Sequence, residues 1–468
     1  MGRGAGGLAV GFDVQDKRVT VAGAARSGLA AAELLARRGA RVMLSEIGSD
    51  IPDAERLRAL GVTLEAGGHV RETFTTADLV VLSPGVPPDA PVVQAARDSG
   101  VPVIAEIELA SRWLRGRLIA ITGTKGKSTT TALTGRMLEA AGFKVTVGGN
   151  IGAPLSAQVS ASTRDTFHVV ETSSFQLEQI DTFHPWISVM LNFSADHLDR
   201  HPTVEAYGAA KARIFENQEP GDFAVINADD PAVLELARRG RAAKHYFARS
   251  GAIAEGTVVE DGWIVERRSG TTDRLVPLDA IHLLGPHLVN DVMAAAAVGA
   301  IAGATPAAMT TAVDAFRGLE HAMELVVDVG GVRFVNDSKA TNVEAALRSI
   351  ESFDRDLVPI IGGRFKGGDL RLLREPLKAR AKGVIAIGEA RSLVREALDD
   401  LVPVHEAGTF SGAIDRAFEL AKPSGVVLLA PACASFDMFR DYAERGRSFK
   451  EEAVRIARLS GVLAPPRP

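Results

Sequence analysis

The residues with the clearest chemical purpose lie at positions 119–129. An apolar run ends in Thr122, Gly123, Thr124, Lys125 and Gly126, and Lys127, Ser128 and Thr129 then open a helical pattern that Gly142 closes. Glycines at these two places let backbone N–H groups converge on phosphate oxygens, and a helix N-terminus adds partial positive charge. In such a loop Lys127 reaches terminal phosphates and the Ser128 hydroxyl can ligate Mg²⁺. A strict phosphate-loop pattern asks for glycine where Ile121 stands, so this is a shortened variant. A glycine-rich turn beside an unrelated helix cap is the plainer alternative. It leaves the order strand, turn, Gly-Lys-Ser, helix without a cause, and nucleotide binding is the reading kept.

Two more groups of polar residues follow buried-strand patterns. Glu171 ends an apolar run and is followed by Thr172, Ser173, Ser174, Phe175 and Gln176. The carboxyl end of a strand is where open parallel sheets bind ligands. Residues 192–199 follow a second such strand at 187–191 and carry Asp196, His197 and Asp199. Mg²⁺ favours carboxylate and phosphate oxygens, so Glu171 suits it. His197 reads as a hydrogen-bonding or core residue as readily as a ligand. Lys211, taken alone, reads as a solvated helix lysine. Near the N-terminus, Gly23, Ala25, Arg26, Ser27 and Gly28 follow a strand, and Glu46 ends the next. That resembles a dinucleotide fingerprint, but Ala25 replaces the middle glycine and crowds a pyrophosphate. A nucleotide-diphosphate site without nicotinamide is preferred, and a plain strand-to-helix turn stays open. Glycine clusters at 148–152 and 83–87, the latter containing Gly85, also follow strands and can be turn chemistry.

The elements that must position these groups alternate short β-branched runs with alanine- and leucine-rich helical stretches. Residues 18–23, 41–45 and 79–83 read as buried strands, and 29–38 as a helix capped by Gly39. The rhythm restarts at 117–122 and again at 332–336, 357–362, 383–387 and 426–430. This is βαβ organisation, hence an α/β fold with parallel sheets. A chain of 468 residues exceeds one core, and boundaries near 115 and 318 divide it into domains 1–115, 116–318 and 319–468. Hydrophobic residues at 46% and charged residues at 24% are ordinary for a soluble protein. A net charge of −5 argues against a nucleic-acid partner. Cys433, the single cysteine, excludes an intrachain disulfide and fits a reducing compartment. Positions 1–10 lack the apolar core of a signal peptide and read as a loose terminus, and 294–304 falls short of a ~20-residue membrane span. A cytoplasmic protein with no stable membrane association is expected.

The runs 122–129, 171–177, 192–199 and 211–215 resemble the Mur ligase family. In the last third, 316–321, 336–342, 430–437 and 440–446 extend the resemblance over nearly the whole chain, in order, and point to its glutamate-adding branch. The resemblance implies a Rossmann-like N-terminal domain, a central phosphate-loop ATPase and a Rossmann-like C-terminal domain. It implies an ATP- and Mg²⁺-dependent, monomeric enzyme of peptidoglycan precursor synthesis. That enzyme activates the carboxylate of UDP-linked muramoyl-alanine as an acyl phosphate and joins it to D-glutamate. By position, residues 123–129 with Asp291 and Asp337 would serve ATP, and Ser128, Glu171, His197 and a carbamylated Lys211 would hold metal. Lys127, His197 and Lys211 would be catalytic. Ala25, Arg26, Ser27, Glu46, Gly85, Asn150 and Gln176 would face the UDP-linked substrate. Lys339, Thr341, Lys366, Ser435, Phe436 and Tyr442 would surround the amino acid, two lysines suiting its two carboxylates. Lys125, Ala322, Leu288, Asp291 and Tyr442 depart from the family pattern, which usually has asparagine, arginine, asparagine, asparagine and phenylalanine there. Segments near 115 and 318 are expected hinges. The rival readings are a related ligase adding another amino acid or extending folate, a nicotinamide-dependent oxidoreductase, and a non-catalytic nucleotide-binding regulator.

Overall fold

The computed structural model describes residues 12–197, 200–251, 253–282 and 288–462. The expected loose terminus at 1–10, and positions 198, 199 and 285–287 of the motif runs, lie outside the described residues.

Three sheets form in chain order. The first holds β1 (Arg18–Ala22), β2 (Arg41–Glu46), β3 (Thr63–Ala66), β4 (Leu79–Leu82) and β5 (Val103–Ala105), ordered β3-β2-β1-β4-β5 and parallel throughout. The second begins with β6 (Arg117–Thr122), β7 (Lys144–Gly149), β8 (Thr166–Glu171) and β9 (Ile187–Met190). It continues through β10 (Phe223–Asn227), β11 (Ala243–Ala248), β12 (Gly256–Glu260), β13 (Trp263–Arg268) and β14 (Thr271–Pro277). Its order is β14-β13-β12-β11-β10-β9-β6-β8-β7, and only β12 to β14 run antiparallel. The third holds β15 (Glu324–Val329), β16 (Val332–Asn336), β17 (Leu357–Gly362), β18 (Val384–Ile387), β19 (Val404–Glu406) and β20 (Gly425–Leu429). It is ordered β15-β16-β20-β17-β18-β19, with β15 alone antiparallel.

Helices cover both faces of these sheets, which is why the parallel strands read as unbroken apolar runs. In the third sheet Val335, Leu357, Ile361 and Leu428 enter one core and Phe334, Val358, Ile360 and Val427 the opposite one, with period two. The first helix, Arg26–Arg37, starts three residues before its apolar periodicity does, and Gly39 takes the left-handed turn expected of it at φ +80°. The antiparallel strands β12 to β14 are absent from the sequence reading. The first four residues of β14 are all exposed, so no apolar alternation marks its beginning.

The chain packs into two compact units, one of residues 1–281 and 289–315, the other of 282–288 and 316–468. The first unit therefore contains both leading sheets, and the expected hinge near 115 meets a tied helix. Burial would raise the pKa of Glu108, in the helix Glu106–Ser111, but its partners bring it below the ordinary glutamate range. Its carboxylate accepts the N–H groups of Asp181 (2.9 Å), Thr182 (3.0 Å) and Phe183 (2.8 Å), the Thr182 hydroxyl (2.7 Å) and Arg112 Nε (2.7 Å). A linker fastened this way is part of the central domain's wall. Among the described residues no helix is long and apolar enough to cross a membrane. Glu108→Ala strands those donors in a buried place and is expected to cost roughly 3–5 kcal/mol, read as a lower urea midpoint, with Glu108→Gln losing less.

Candidate active site

Strand β6 is buried along its last five residues and delivers the phosphate loop at its carboxyl end. The loop turns through Gly123 at φ +154° and Gly126 at φ +80°, and the helix Lys127–Ala140 begins directly after it. A side chain at Gly126 would stand 2.1 Å from Asp291 Oδ1, so glycine is required there by contact as well as by torsion. Asp291 is 3% exposed, its Oδ2 has no hydrogen-bond partner, and burial raises its pKa to about 7. Asp291, expected to serve ATP, has its carboxyl against the loop at Gly126. Lys127 Nζ folds back to the carbonyls of Gly123 (3.0 Å) and Thr124 (2.9 Å). Thr124 is buried, Lys125 exposed, and Ser128 and Thr129 half-buried at the helix start.

Glu171 ends β8, which lies between β6 and β7 in the sheet. Its carboxylate accepts the Ser128 hydroxyl at 2.6 Å and the Asn150 carboxamide at 2.7 Å. Three strand ends are thus joined at one acid. Lys211 is 1% exposed and donates to the Gly123 carbonyl at 2.7 Å, with Nζ 4.8 Å above the Tyr207 ring. It is no solvated lysine. Burial first, and Lys127 second, lower its pKa to about 7, against the pull of Asp196 and Glu171. His197 is exposed in a left-handed conformation, φ +55°, and its ring lies edge-on to Phe175 and Tyr207 at 5.2 and 6.1 Å. Among the described residues no three His, Cys, Asp or Glu side chains converge as a metal site. The structure therefore brings Ser128 and Glu171 together and leaves His197 outside that cluster. Gln176 is buried, its Oε1 committed to capping its own short helix at Ser173 and its Nε2 unpartnered.

Beside these residues lies a cavity of about 840 Å³. Ala25, Arg26, Ser27, Glu46, Gly85 and Asn150 all line it, so all three glycine clusters of the sequence open onto one space; Gln176 does not. Arg26 Nη1 donates across to the Gly152 carbonyl at 3.1 Å. Glu46 accepts the N–H groups of Ala24 (2.6 Å) and Gly48 (2.9 Å), which outweigh burial and lower its pKa. It organises the turn instead of standing free.

The second unit has its own polar cluster at the carboxyl ends of β16, β17 and β20. Ala432 N donates to Ala340 O at 3.0 Å, and Arg364 and Ala434 exchange backbone bonds of 2.9 and 3.0 Å. Behind them the guanidinium of Arg445, 1% exposed, donates to the Ser338 hydroxyl and carbonyl at 3.0 Å each and to the Cys433 carbonyl at 3.2 Å. A side chain at Gly363 would meet its Nη1 at 3.3 Å. Burial lowers the Arg445 pKa to about 10. On the loops so joined, Lys339, Lys366 and Phe436 are exposed, Thr341 is half-buried and Ser435 is buried, and Tyr442, exposed, opens the last helix. Asp337 is buried with a pKa raised to about 6; it accepts Met323 N at 3.2 Å and the Ser349 hydroxyl. Sequence reasoning assigned nothing to Arg445 or to Asn192, although both sit in runs singled out above. Their signal was position alone: one opens the last helix, the other follows a strand end.

Three family models match in chain order. They are the MurD-like N-terminal domain of Mur ligases at residues 17–105, the Mur ligase middle domain at 121–299 and the Mur ligase glutamate ligase domain at 321–433. The chain is 46% identical over 445 residues to a UDP-N-acetylmuramoylalanine–D-glutamate ligase of Acidobacterium capsulatum, covering 94% of this chain and 96% of that one. It is 43% identical to the Koribacter versatilis protein of the same name, over 95% and 99%. Among solved structures it resembles a UDP-N-acetylmuramate-alanine ligase from Thermotoga maritima, with TM-score 0.55, 19% identity and coverage of 94% and 100%. A pseudomurein peptide ligase type C from Methanothermus fervidus gives TM-score 0.53 at 18% identity, covering 94% and 100%. These structural likenesses speak for the fold.

Gly126→Ala forces a side chain into Asp291 and out of an allowed torsion. ATP binding measured by calorimetry is expected to weaken by roughly tenfold or more, about 1.4 kcal/mol, with a smaller loss of thermal stability.

Proposed function

The chain belongs to the Mur ligase family, and from that premise we propose that it joins D-glutamate to the alanyl carboxylate of UDP-N-acetylmuramoyl-L-alanine, with cleavage of ATP to ADP and phosphate. One observation carries this reading. Ser128, Glu171 and Asn150 meet at three adjacent strand ends, Lys127 precedes Ser128 at the helix start, and Asn150 also lines the cavity that holds Ala25, Arg26, Ser27, Glu46 and Gly85. A nucleotide-phosphate site thus adjoins a space large enough for a nucleotide-linked sugar.

In the reaction the alanyl carboxylate attacks the γ-phosphorus of ATP, ADP leaves, and an acyl phosphate forms. The glutamate amine then attacks the acyl carbon, the nitrogen gives up one proton to solvent, and phosphate leaves with the bonding pair. Loop N–H groups and Lys127 neutralise charge that builds on the transferred phosphoryl group, so catalysis is positioning plus electrostatics. Ser128 and Glu171 offer hard oxygen donors 2.6 Å apart, a set that suits Mg²⁺. Mg²⁺ held by Ser128 and Glu171 would supply Lewis-acid charge neutralisation. Lys339, Thr341, Lys366, Ser435, Phe436 and Tyr442 hold the glutamate, the two exposed lysines facing its carboxylates. We place the boundaries of the three domains near 115 and 318 and the enzyme in the cytoplasm as a monomer, where its single cysteine stays reduced.

Lys211 completes the metal set as a carbamate. Its ammonium first gives up one proton, the neutral amine then adds to CO₂ with formation of a nitrogen–carbon bond, and a second proton leaves to solvent, so a buried cation becomes an anion. With its pKa lowered to about 7, the reactive neutral amine dominates above that pH and is lost below it. Activity is expected to fall when dissolved CO₂ is stripped at pH 8 and to return with bicarbonate, and intact mass should show one added CO₂ that Lys211→Arg lacks.

The deciding assay is phosphate release from ATP with UDP-N-acetylmuramoyl-L-alanine while the amino acid is varied. Release with D-glutamate alone is the expected result; release with L-glutamate, lysine or diaminopimelate instead would move the specificity. Lys127→Ala is expected to abolish release while leaving the circular-dichroism spectrum unchanged.

A further inference from the structure

Asn192 stands at the junction of the phosphate loop and the segment that carries His197. It follows β9, the strand hydrogen-bonded to β6, so its side chain arrives beside the loop at the sheet's carboxyl edge. Its Oδ1 accepts the N–H groups of Thr124 (3.1 Å) and Lys125 (2.8 Å), and its Nδ2 donates to the Lys125 carbonyl at 3.1 Å. Two residues on, Ser194 N donates to the Thr124 hydroxyl at 3.1 Å, and that hydroxyl donates to the Ser194 carbonyl at 3.2 Å. The loop and the segment are therefore laced together. On its far side the segment is anchored separately, by Asp230 accepting Phe193 N at 2.8 Å and Asn227 donating to the Leu191 carbonyl at 2.8 Å.

The N–H groups of Thr124 and Lys125 belong to the set that such a loop turns toward phosphate. The neutral carboxamide oxygen holds the Lys125 N–H and shares the Thr124 N–H with the Asn192 backbone carbonyl, also at 3.1 Å, and a charged phosphate oxygen competes for them with roughly twice the bond strength. Any change in these bonds is transmitted to Ser194, and His197 lies three residues further on with no side-chain hydrogen bond among the described residues. We propose that Asn192, together with Thr124, is a positioning residue that couples phosphate binding in the loop to the placement of His197 for the metal. The inference rests on the ligase reading above and on His197 serving Mg²⁺ once nucleotide is bound. It accounts for a metal-directed histidine lying outside the Ser128–Glu171 cluster: placement waits on the phosphates.

The test measures ATP affinity by calorimetry with and without Mg²⁺, which needs no turnover. In the unaltered protein Mg²⁺ is expected to tighten ATP binding by roughly tenfold or more, and His197→Ala to remove most of that gain. Asn192→Ala is expected to remove the same Mg²⁺-dependent gain, and Asn192→Ala with His197→Ala to lose no more than either alone. Thr124→Val should behave like Asn192→Ala and Thr124→Ser like the unaltered protein, which keeps the test open if Asn192→Ala folds poorly. Equal weakening with and without Mg²⁺, or losses that multiply in the double variant, would overturn the coupling and leave Asn192 as simple loop support. Failure of the unaltered protein to bind ATP at all would instead overturn the ligase reading.

Discussion

Glu171 receives the Ser128 hydroxyl and the Asn150 carboxamide from the ends of two other strands, while its own strand lies between theirs. A carboxylate that is 2% exposed is costly unless its lone pairs are satisfied, and here both oxygens are. The arrangement is mutual: the acid needs those donors, and the loops that carry them are fixed by it. The phosphate-loop helix begins at one donor, and the wall of the large cavity begins at the other. Remove the acid and two loops, the phosphate loop and the one that begins the cavity wall, lose their common reference.

Burial governs the charge states of other groups in both units. It pulls the Lys211 amine down to about 7 and pushes the Asp291 and Asp337 carboxyls up to about 7 and about 6. Each shift moves its group toward neutrality, as desolvation must. The chain thus keeps three ionisable groups near their switching points around neutral pH, two beside the phosphate loop and one in the second unit. In contrast, Glu108 is buried yet held charged, because backbone N–H groups and Arg112 outweigh the same desolvation. The difference lies in the number of donors each carboxylate meets.

Much of this was legible in the chain. Strands buried on both faces announce themselves as apolar runs, and the phosphate loop, Glu171 and the glycine clusters follow such runs at their carboxyl ends. Six of the seven residues expected to face the UDP-linked substrate, Ala25, Arg26, Ser27, Glu46, Gly85 and Asn150, line one cavity that no local pattern announces. What escaped were residues whose importance depends on a partner far along the chain: Asn192 on Lys125, Arg445 on Ser338, Glu108 on Thr182. Nothing local distinguishes an asparagine that braces a loop from one that caps a turn. The strand β14 escaped for the opposite reason, since an exposed edge carries no periodic apolar signal. Lys211 was the instructive middle case: by pattern a surface residue, by placement a buried one.

The guanidinium of Arg445 reaches the loops after β16 and β20 from the far end of the chain and packs against a third at Gly363. The helix that supplies it, Tyr442–Leu459, packs Phe449, Ala453, Ile456 and Ala457 into the core of the third sheet. The shape of these three loops is therefore set partly by the last helix. Grafting the three loops from a relative of different amino-acid preference would import their sequence without their shape, unless the last helix travelled with them. In this unit the loops and the helix behind them are inherited as a block.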